Sequence, residues 1–231
     1  MCGRFNLTAS GEEIAEAFDL DDTPELAPRY NIAPAQPIAV VRYDAASRRL
    51  RLGTVIWGLV PEGAPESDRG FINARAETAW QKPSFRDAFA RRRCLIPATG
   101  FYEWQTLSIK PRRRQAWAFA LGSGRPFGFA GLWEPPARDG APPTCTILTT
   151  DPNNVTRPVH DRMPVILEPD GYARWLDPEP SGALAARPLL RPFPAEAMTA
   201  WPVSPAVNNP RCDEPVCLER VEEEGPPPLL R

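Results

Sequence analysis

The chain has no stretch approaching the roughly 18 consecutive apolar residues of a membrane-spanning helix. Its opening, MCGRFNLTASGEE, lacks the apolar run of a secretory signal, and Glu12 and Glu13 arrive too early for one. Both absences predict a cytoplasmic protein. Cysteine is scarce and odd in number, five in 231 residues at positions 2, 94, 145, 212 and 217, which in a reducing compartment argues against a disulfide framework. A zinc site drawing on Cys212 and Cys217 with Cys94 or Cys145 would lack an orderly set of four ligands, and core positions are the simpler expectation. No metal or cofactor is therefore expected. Histidine occurs once, as His160.

What is present is ordinary globular material. Apolar residues make up 42% and charged residues 24%, enough for a sizeable core. Thirty prolines and 15 glycines fall short of a disordered composition but argue against long helices. The net charge of −2 is unevenly spread: residues 69–162 hold 15 Lys and Arg against 7 Asp and Glu. Such a chain can present one basic face to a nucleic acid, although a solvated arginine-rich surface is the plainer alternative.

Local signals predict an α+β fold. Ser10 and Glu13 form a capping box ahead of a helix reaching Phe18, with Ile14, Ala17 and Phe18 on one face. Segments 38–42 and 50–56 read as a hairpin, and a second helix is expected from Ser84 to Arg92. Strands follow at 94–96, 117–121, 127–133, 144–149 and 164–167, with Gly122–Ser123–Gly124 as the hairpin turn between the second and third. A short helix is expected around 172–176. With no repeat or convincing linker, one domain over residues 2–221 is expected, followed by a loose acidic, proline-rich tail at 222–231.

The second residue is the most informative. A small side chain at that position favours loss of the initiator methionine, leaving Cys2 with a free α-amine of pKa about 7.7–8.0 beside a thiol of about 8.5. Such a 1,2-aminothiol suits an aldehyde: the amine condenses to an imine, and the thiol closes on the imine carbon to give a thiazolidine ring. The alternative is a small buried cysteine. Glu103, set among Phe101, Tyr102 and Trp104, has the surroundings that raise a carboxyl pKa for proton shuttling, or else lies on the outer face of a strand. His160 between Arg157 and Arg162 offers a second proton carrier or a structural imidazole. Asn73 offers an amide donor and acceptor, and Arg75 points to the same side if that segment is extended. Trp57 suits either base stacking or core packing.

The runs MCGRF, YNIAP, WGLVP, INARAET, RCLIPATGFYEW, FAGLWE, ILTT and HDRMPVIL occur in this order, within a match spanning about residues 2–217. Together they closely resemble the SRAP family, the SOS-response-associated peptidase-like proteins that crosslink to abasic sites in single-stranded DNA. The resemblance implies a compact domain of mainly antiparallel, barrel-like sheets flanked by short helices, with a sheet-lined DNA channel. It assigns the nucleophile to Cys2, sugar and amine contacts to Asn73, acid/base work to Glu103, and ring opening and protonation to His160. Arg4, Arg75 and Arg162 would grip flanking phosphates.

It also implies shielding of the lesion, peptidase-like removal of Met1, and residence on the nucleoid when DNA-bound, with a monomer as the default. In place of the family's usual second tryptophan after WGLVP stand Glu62 and Gly63, which leaves the junction wedge without its usual residue. Two other readings compete: an N-terminal-cysteine amidohydrolase resembling the glutamine amidotransferases, and a non-covalent single-stranded-DNA-binding module.

Overall fold

The computed structural model describes residues 2–64, 70–109 and 112–223, so from residue 224 onward the expected tail lies outside the described residues. In chain order the elements are β1 (Phe5–Leu7), α1 (Gly11–Phe18), β2 (Arg29–Ile32), β3 (Pro37–Asp44), β4 (Arg49–Trp57), β5 (Asn73–Arg75), α2 (Arg86–Arg91), β6 (Arg93–Ala98), β7 (Gly100–Ile109) and β8 (Arg112–Leu121). They continue with β9 (Phe127–Glu134), β10 (Thr144–Thr150), β11 (Met163–Pro164), β12 (Ile166–Leu167), α3 (Tyr172–Leu176), α4 (Pro180–Ala186) and β13 (Met198–Pro202). The class is α+β, as the sequence indicates.

Two sheets carry the fold. One runs β13-β8-β7-β1-β2 and is antiparallel throughout. The other runs β11-β10-β4-β3-β6-β9-β12, and a further β10–β9 pairing closes a ring through β4, β3, β6 and β9. Within it β10 runs parallel to β4 and to β5. Within this ring all of β6 and β10 is buried, whereas the first half of β4 (RLRLG) is partly exposed.

The sheets meet through aromatic rings. Phe5 on β1 packs edge-on against Trp57 (5.3 Å) and Phe129 (5.8 Å) of the ring. Phe101 on β7 stacks on Phe119 at 4.9 Å and reaches Phe129 at 6.1 Å. These contacts hold β1, and hence the start of the chain, against β7. The fit is close: a Cβ on Gly100 would stand 2.7 Å from the Phe119 carbonyl oxygen and 3.0 Å from the Asn6 amide nitrogen. Only glycine lets the two strands approach so nearly.

The capping box on α1 forms as expected, with Glu13 N–H donating to Ser10 Oγ and Ser10 N–H to Glu13 Oε2. The β3–β4 hairpin and α3 also agree. Other expectations need correction. The second helix begins at Arg86 rather than Ser84, because residues 82–85 form a turn in which Phe85 N–H donates to the Lys82 carbonyl. Gly122–Gly124 does turn the chain, yet it joins strands of different sheets. Strand β8 is already paired with β7 on one side and β13 on the other, so no ladder remains for β9.

Arg92 and Arg93, following α2, are bound within the fold. Arg93 is buried and donates to the carbonyls of Phe89, Ala90, Trp175 and Asp177, while Arg92 pairs with Glu134 at 2.8 Å. Burying a guanidinium so thoroughly requires this many acceptors. Among the described residues, no helix is long and apolar enough to cross a membrane.

Candidate functional site

The site forms where the chain start lies between the two sheets. Register in β1 pairs Phe5 with Phe101, and Tyr102 N–H donates to the Arg4 carbonyl at 2.9 Å. Continuing that antiparallel register carries the residues before Arg4 alongside Glu103. From the other sheet, β5 runs beside β10 with Asn73 opposite Ile147, and Asn73 Nδ2 donates to the Cys2 carbonyl at 2.8 Å. Cys2 is fully buried. Asn73 and Glu103, 30 residues apart in sequence, thus flank it from two different sheets.

Electrostatics differ among these groups. Burial pushes the Cys2 thiol well above its ordinary range, and the Glu103 charge adds to that. The thiol must therefore pass its proton to a base before attacking anything. Glu103 is 2% exposed, and burial raises its carboxyl from 4.5 to about 7. At neutral pH it is divided between acid and base forms, the condition under which one carboxyl can both take and return a proton.

His160 completes the group. Its Nε2 lies 3.8 Å from Glu103 Oε2, long for a direct hydrogen bond but short enough for both groups to touch one intervening oxygen. Burial lowers the His160 pKa despite Asp161 Oδ1 at 3.0 Å, a carboxylate 89% exposed and so weakened by solvent. The neutral ring accepts the Arg162 N–H on Nδ1 at 3.0 Å, which directs its own proton to Nε2, toward Glu103. Asn73 Oδ1 is buried with no hydrogen-bond partner among the described residues, an acceptor available to a ligand's N–H or O–H.

The expected arginines divide. Arg75, on β5, is exposed beside this group. Arg162 is 14% exposed and faces protein: its fork pairs with both oxygens of Glu77 at 2.8 Å, and it also reaches Asp151 at 3.1 Å and the Thr149 carbonyl at 2.5 Å. Burial pushes the Glu77 carboxyl up, but Arg162 outweighs it and holds Glu77 below its usual range. Arg4 donates to Asn31 Oδ1 and to the Val207 carbonyl, each at 2.8 Å, with Trp104 5.7 Å away beneath its guanidinium. Trp57 is corrected to a core residue: it is fully buried, packs on Phe5, and donates from Nε1 to the Ile72 carbonyl at 2.8 Å. No face of it is left for a base.

Sequence reasoning passed over Glu77, which couples the Asn73 strand to the His160 loop, and Asn153, whose Oδ1 takes the N–H groups of Val155 and Thr156 within that loop. Glu77 was visible as the acidic member of INARAET, but its partner lies 85 residues away. The cysteines weighed and set aside as zinc ligands are separated, with Cys94 and Cys145 in the main core and Cys217 in a second apolar cluster.

A buried thiol near the chain start thus lies in one group with an amide, a carboxyl and an imidazole from separate elements. A model of the SOS response associated peptidase (SRAP) family matches residues 1–210, and the chain belongs to that family. The abasic site processing protein YoqW of Bacillus subtilis (strain 168) is 41% identical over 228 residues, spanning 95% of this chain and 99% of that one. The abasic site processing protein HMCES of Xenopus tropicalis is 28% identical, spanning 98% of this chain and 81% of that one. A solved structure from Bacteroides thetaiotaomicron shares the fold, with a TM-score of 0.81 at 23% identity over 96% of this chain and 100% of that one.

Proposed function

We propose that this protein captures abasic sites in single-stranded DNA as a covalent thiazolidine at Cys2, shielding the lesion from strand cleavage. The observation that carries the reading is Glu103: a nearly inaccessible carboxyl, poised near neutrality, beside a buried thiol that needs a base. The names of the relatives supply the substrate class.

The chemistry runs in three steps. Hydrolysis adds water across the Met1–Cys2 peptide bond and frees the Cys2 amine, with Glu103 and His160 moving the protons. The amine then adds to the C1′ aldehyde of the opened sugar and expels water, leaving an imine, while Asn73 Oδ1 accepts from the amine or a sugar hydroxyl. Finally Cys2 Sγ gives its proton to Glu103 and bonds to the imine carbon; the imine nitrogen takes a proton and the ring closes. Because an imine left in place would promote loss of the 3′ phosphate, closure by sulfur protects the strand.

Recognition uses backbone rather than base edges, since the lesion has no base. Arg75, exposed on β5, takes a flanking phosphate directly. Arg162 contributes by exchanging Glu77 for phosphate, and Arg4 supports the segment next to Cys2. Binding weakens as salt rises. The protein works as a cytoplasmic monomer that collects on the nucleoid when bound.

The test is to mix protein lacking Met1 with single-stranded DNA carrying one abasic site and to run a denaturing gel. A slower band that survives boiling is expected, and Cys2→Ala abolishes it. An equally strong band from Cys2→Ala overturns the reading, and salt-sensitive binding without any covalent band points to a non-covalent module.

A further inference from the structure

The second cysteine pair takes no part in the chemistry above. Cys212 and Cys217 lie with their sulfurs 3.6 Å apart, and Cys217 Sγ also donates to the Cys212 carbonyl at 3.3 Å. A disulfide requires an approach of about 1.5 Å from this separation, within reach of small side-chain rotations. The two thiols differ in access: Cys217 is fully buried, whereas Cys212 is half-buried.

Their backbone is held in register. Asp213 accepts the N–H groups of Tyr30 (2.6 Å) and Asn31 (2.8 Å) and pairs with Arg29. Asn31 Nδ2 donates to the Cys212 carbonyl at 2.7 Å, and Cys217 N–H closes a turn onto the Glu214 carbonyl at 3.0 Å. Among the described residues no cluster of three or more His, Cys, Asp or Glu side chains is gathered for a metal, so a ligand set does not account for the pair.

We propose that Cys212 and Cys217 are a reversible redox-modification site, closing to an intramolecular disulfide on exposure to a peroxide. The accessible Cys212 thiolate attacks one peroxide oxygen, forming a sulfenic acid and releasing hydroxide, which takes up the proton that the thiol gave and becomes water. Cys217 sulfur then displaces the hydroxyl from the sulfenic sulfur; the S–S bond forms, and the departing hydroxyl leaves as water with the Cys217 proton. Two electrons pass from the dithiol to the peroxide, and a dithiol reductant reverses the change.

The other thiols are disfavoured in this reaction. Cys2, Cys94 and Cys145 are fully buried, and burial drives each thiol upward, away from the reactive thiolate. The modified segment also supports the site, since Asn31, which holds Cys212, receives the Arg4 guanidinium two residues from Cys2. Oxidation would fix that support while sparing the nucleophile.

The test treats the full chain with hydrogen peroxide, alkylates the remaining thiols and digests with trypsin, which releases residues 212–220 as one peptide carrying both cysteines. The expected result is a 212–220 peptide that has lost two hydrogens and escapes alkylation, alongside an alkylated Cys2. Dithiothreitol should restore two alkylatable thiols. Cys212→Ser, a change at the more accessible position, should leave Cys217 alkylatable after peroxide. The proposal is overturned if the peptide remains doubly alkylated once Cys2 has oxidised, if Cys212 accumulates as sulfinic acid without a bond to Cys217, or if the Cys212→Ser protein still loses two hydrogens there.

Discussion

The ring of strands and the cradle around Cys2 are both buried, but they are buried for opposite reasons. In the ring, Leu95, Ile96, Phe129, Ala130 and Leu132 are fully enclosed and bring almost no polar atoms with them. Each of the larger side chains among them favours folding by roughly 1.5–3 kcal/mol on transfer from water. The cradle encloses a carboxyl, an amide and a thiol, and among the described residues it leaves Asn73 Oδ1 and Thr149 Oγ1 without hydrogen-bond partners. Enclosing such groups costs stability. The ring therefore supplies a margin that the cradle draws down, and a residue's contribution to folding should run opposite to its contribution to chemistry.

That contrast is most sharply broken at Glu103. Glu103→Gln removes the carboxyl that lies beside the Cys2 thiol and should slow covalent capture by about 10²–10⁴-fold. Non-covalent affinity for the same DNA, read by fluorescence anisotropy with a DNA strand lacking the aldehyde, should change little. Equal losses in both measurements would make Glu103 a structural residue. The mirror experiment lies in the ring: Leu132→Ala should lower unfolding free energy by about 2–5 kcal/mol, measured in urea, while the folded fraction keeps its capture rate.

The pH dependence of stability sharpens the same comparison. In the unfolded chain Glu103 ionises near 4.5, but in the fold it holds its proton until about 7. Between those values the folded state binds more protons than the unfolded one, so this group makes stability fall as pH rises through the window. The loss is complete above pH 7 and on the order of 3 kcal/mol. Glu103→Gln carries no such charge, so its unfolding free energy should decline less from pH 4.5 to pH 8 than that of the parent chain. A parallel decline in both proteins would show that the carboxyl is not held neutral by burial.

Much of this was legible before any coordinates. Cys2, Asn73, Glu103 and His160 were nameable because each belongs to a compact motif whose residue types fit aldehyde chemistry, and the structure brings them to one place. The hairpin β3–β4 and the capped helix α1 were legible because their signals are local. The failures were non-local. The strand beginning at Gly100 was not separated from the motif that contains it, since its apolar run is buried on both faces and shows no alternation. Gly122–Gly124 looked like a hairpin turn because sequence shows the turn but not that both edges of β8 are already occupied. Trp57 could be read as a DNA contact until Ile72 was found as its partner, and the pairing of Arg162 with Glu77 spans too much chain to be seen in sequence.

The smallest predicted effect provides the control. Helix α1 has eight residues, begins at the Ser10–Glu13 capping box and ends at Asp19 in the left-handed region, and it buries Ile14 and Phe18. Ser10→Ala removes the acceptor for Glu13 N–H and breaks one half of the reciprocal pair. The cost should be about 1 kcal/mol. For a chain of this size that corresponds to a fall of roughly 2–4 °C in Tm, read by circular dichroism. Capture of abasic DNA should keep its rate, because the chain from Phe5 onward is pinned to Trp57 and Phe129 independently of where α1 starts. If capture slowed tenfold at this position, the strand ring would not be isolating the cradle from distant losses, and stability and chemistry would prove to be coupled through the N-terminal segment.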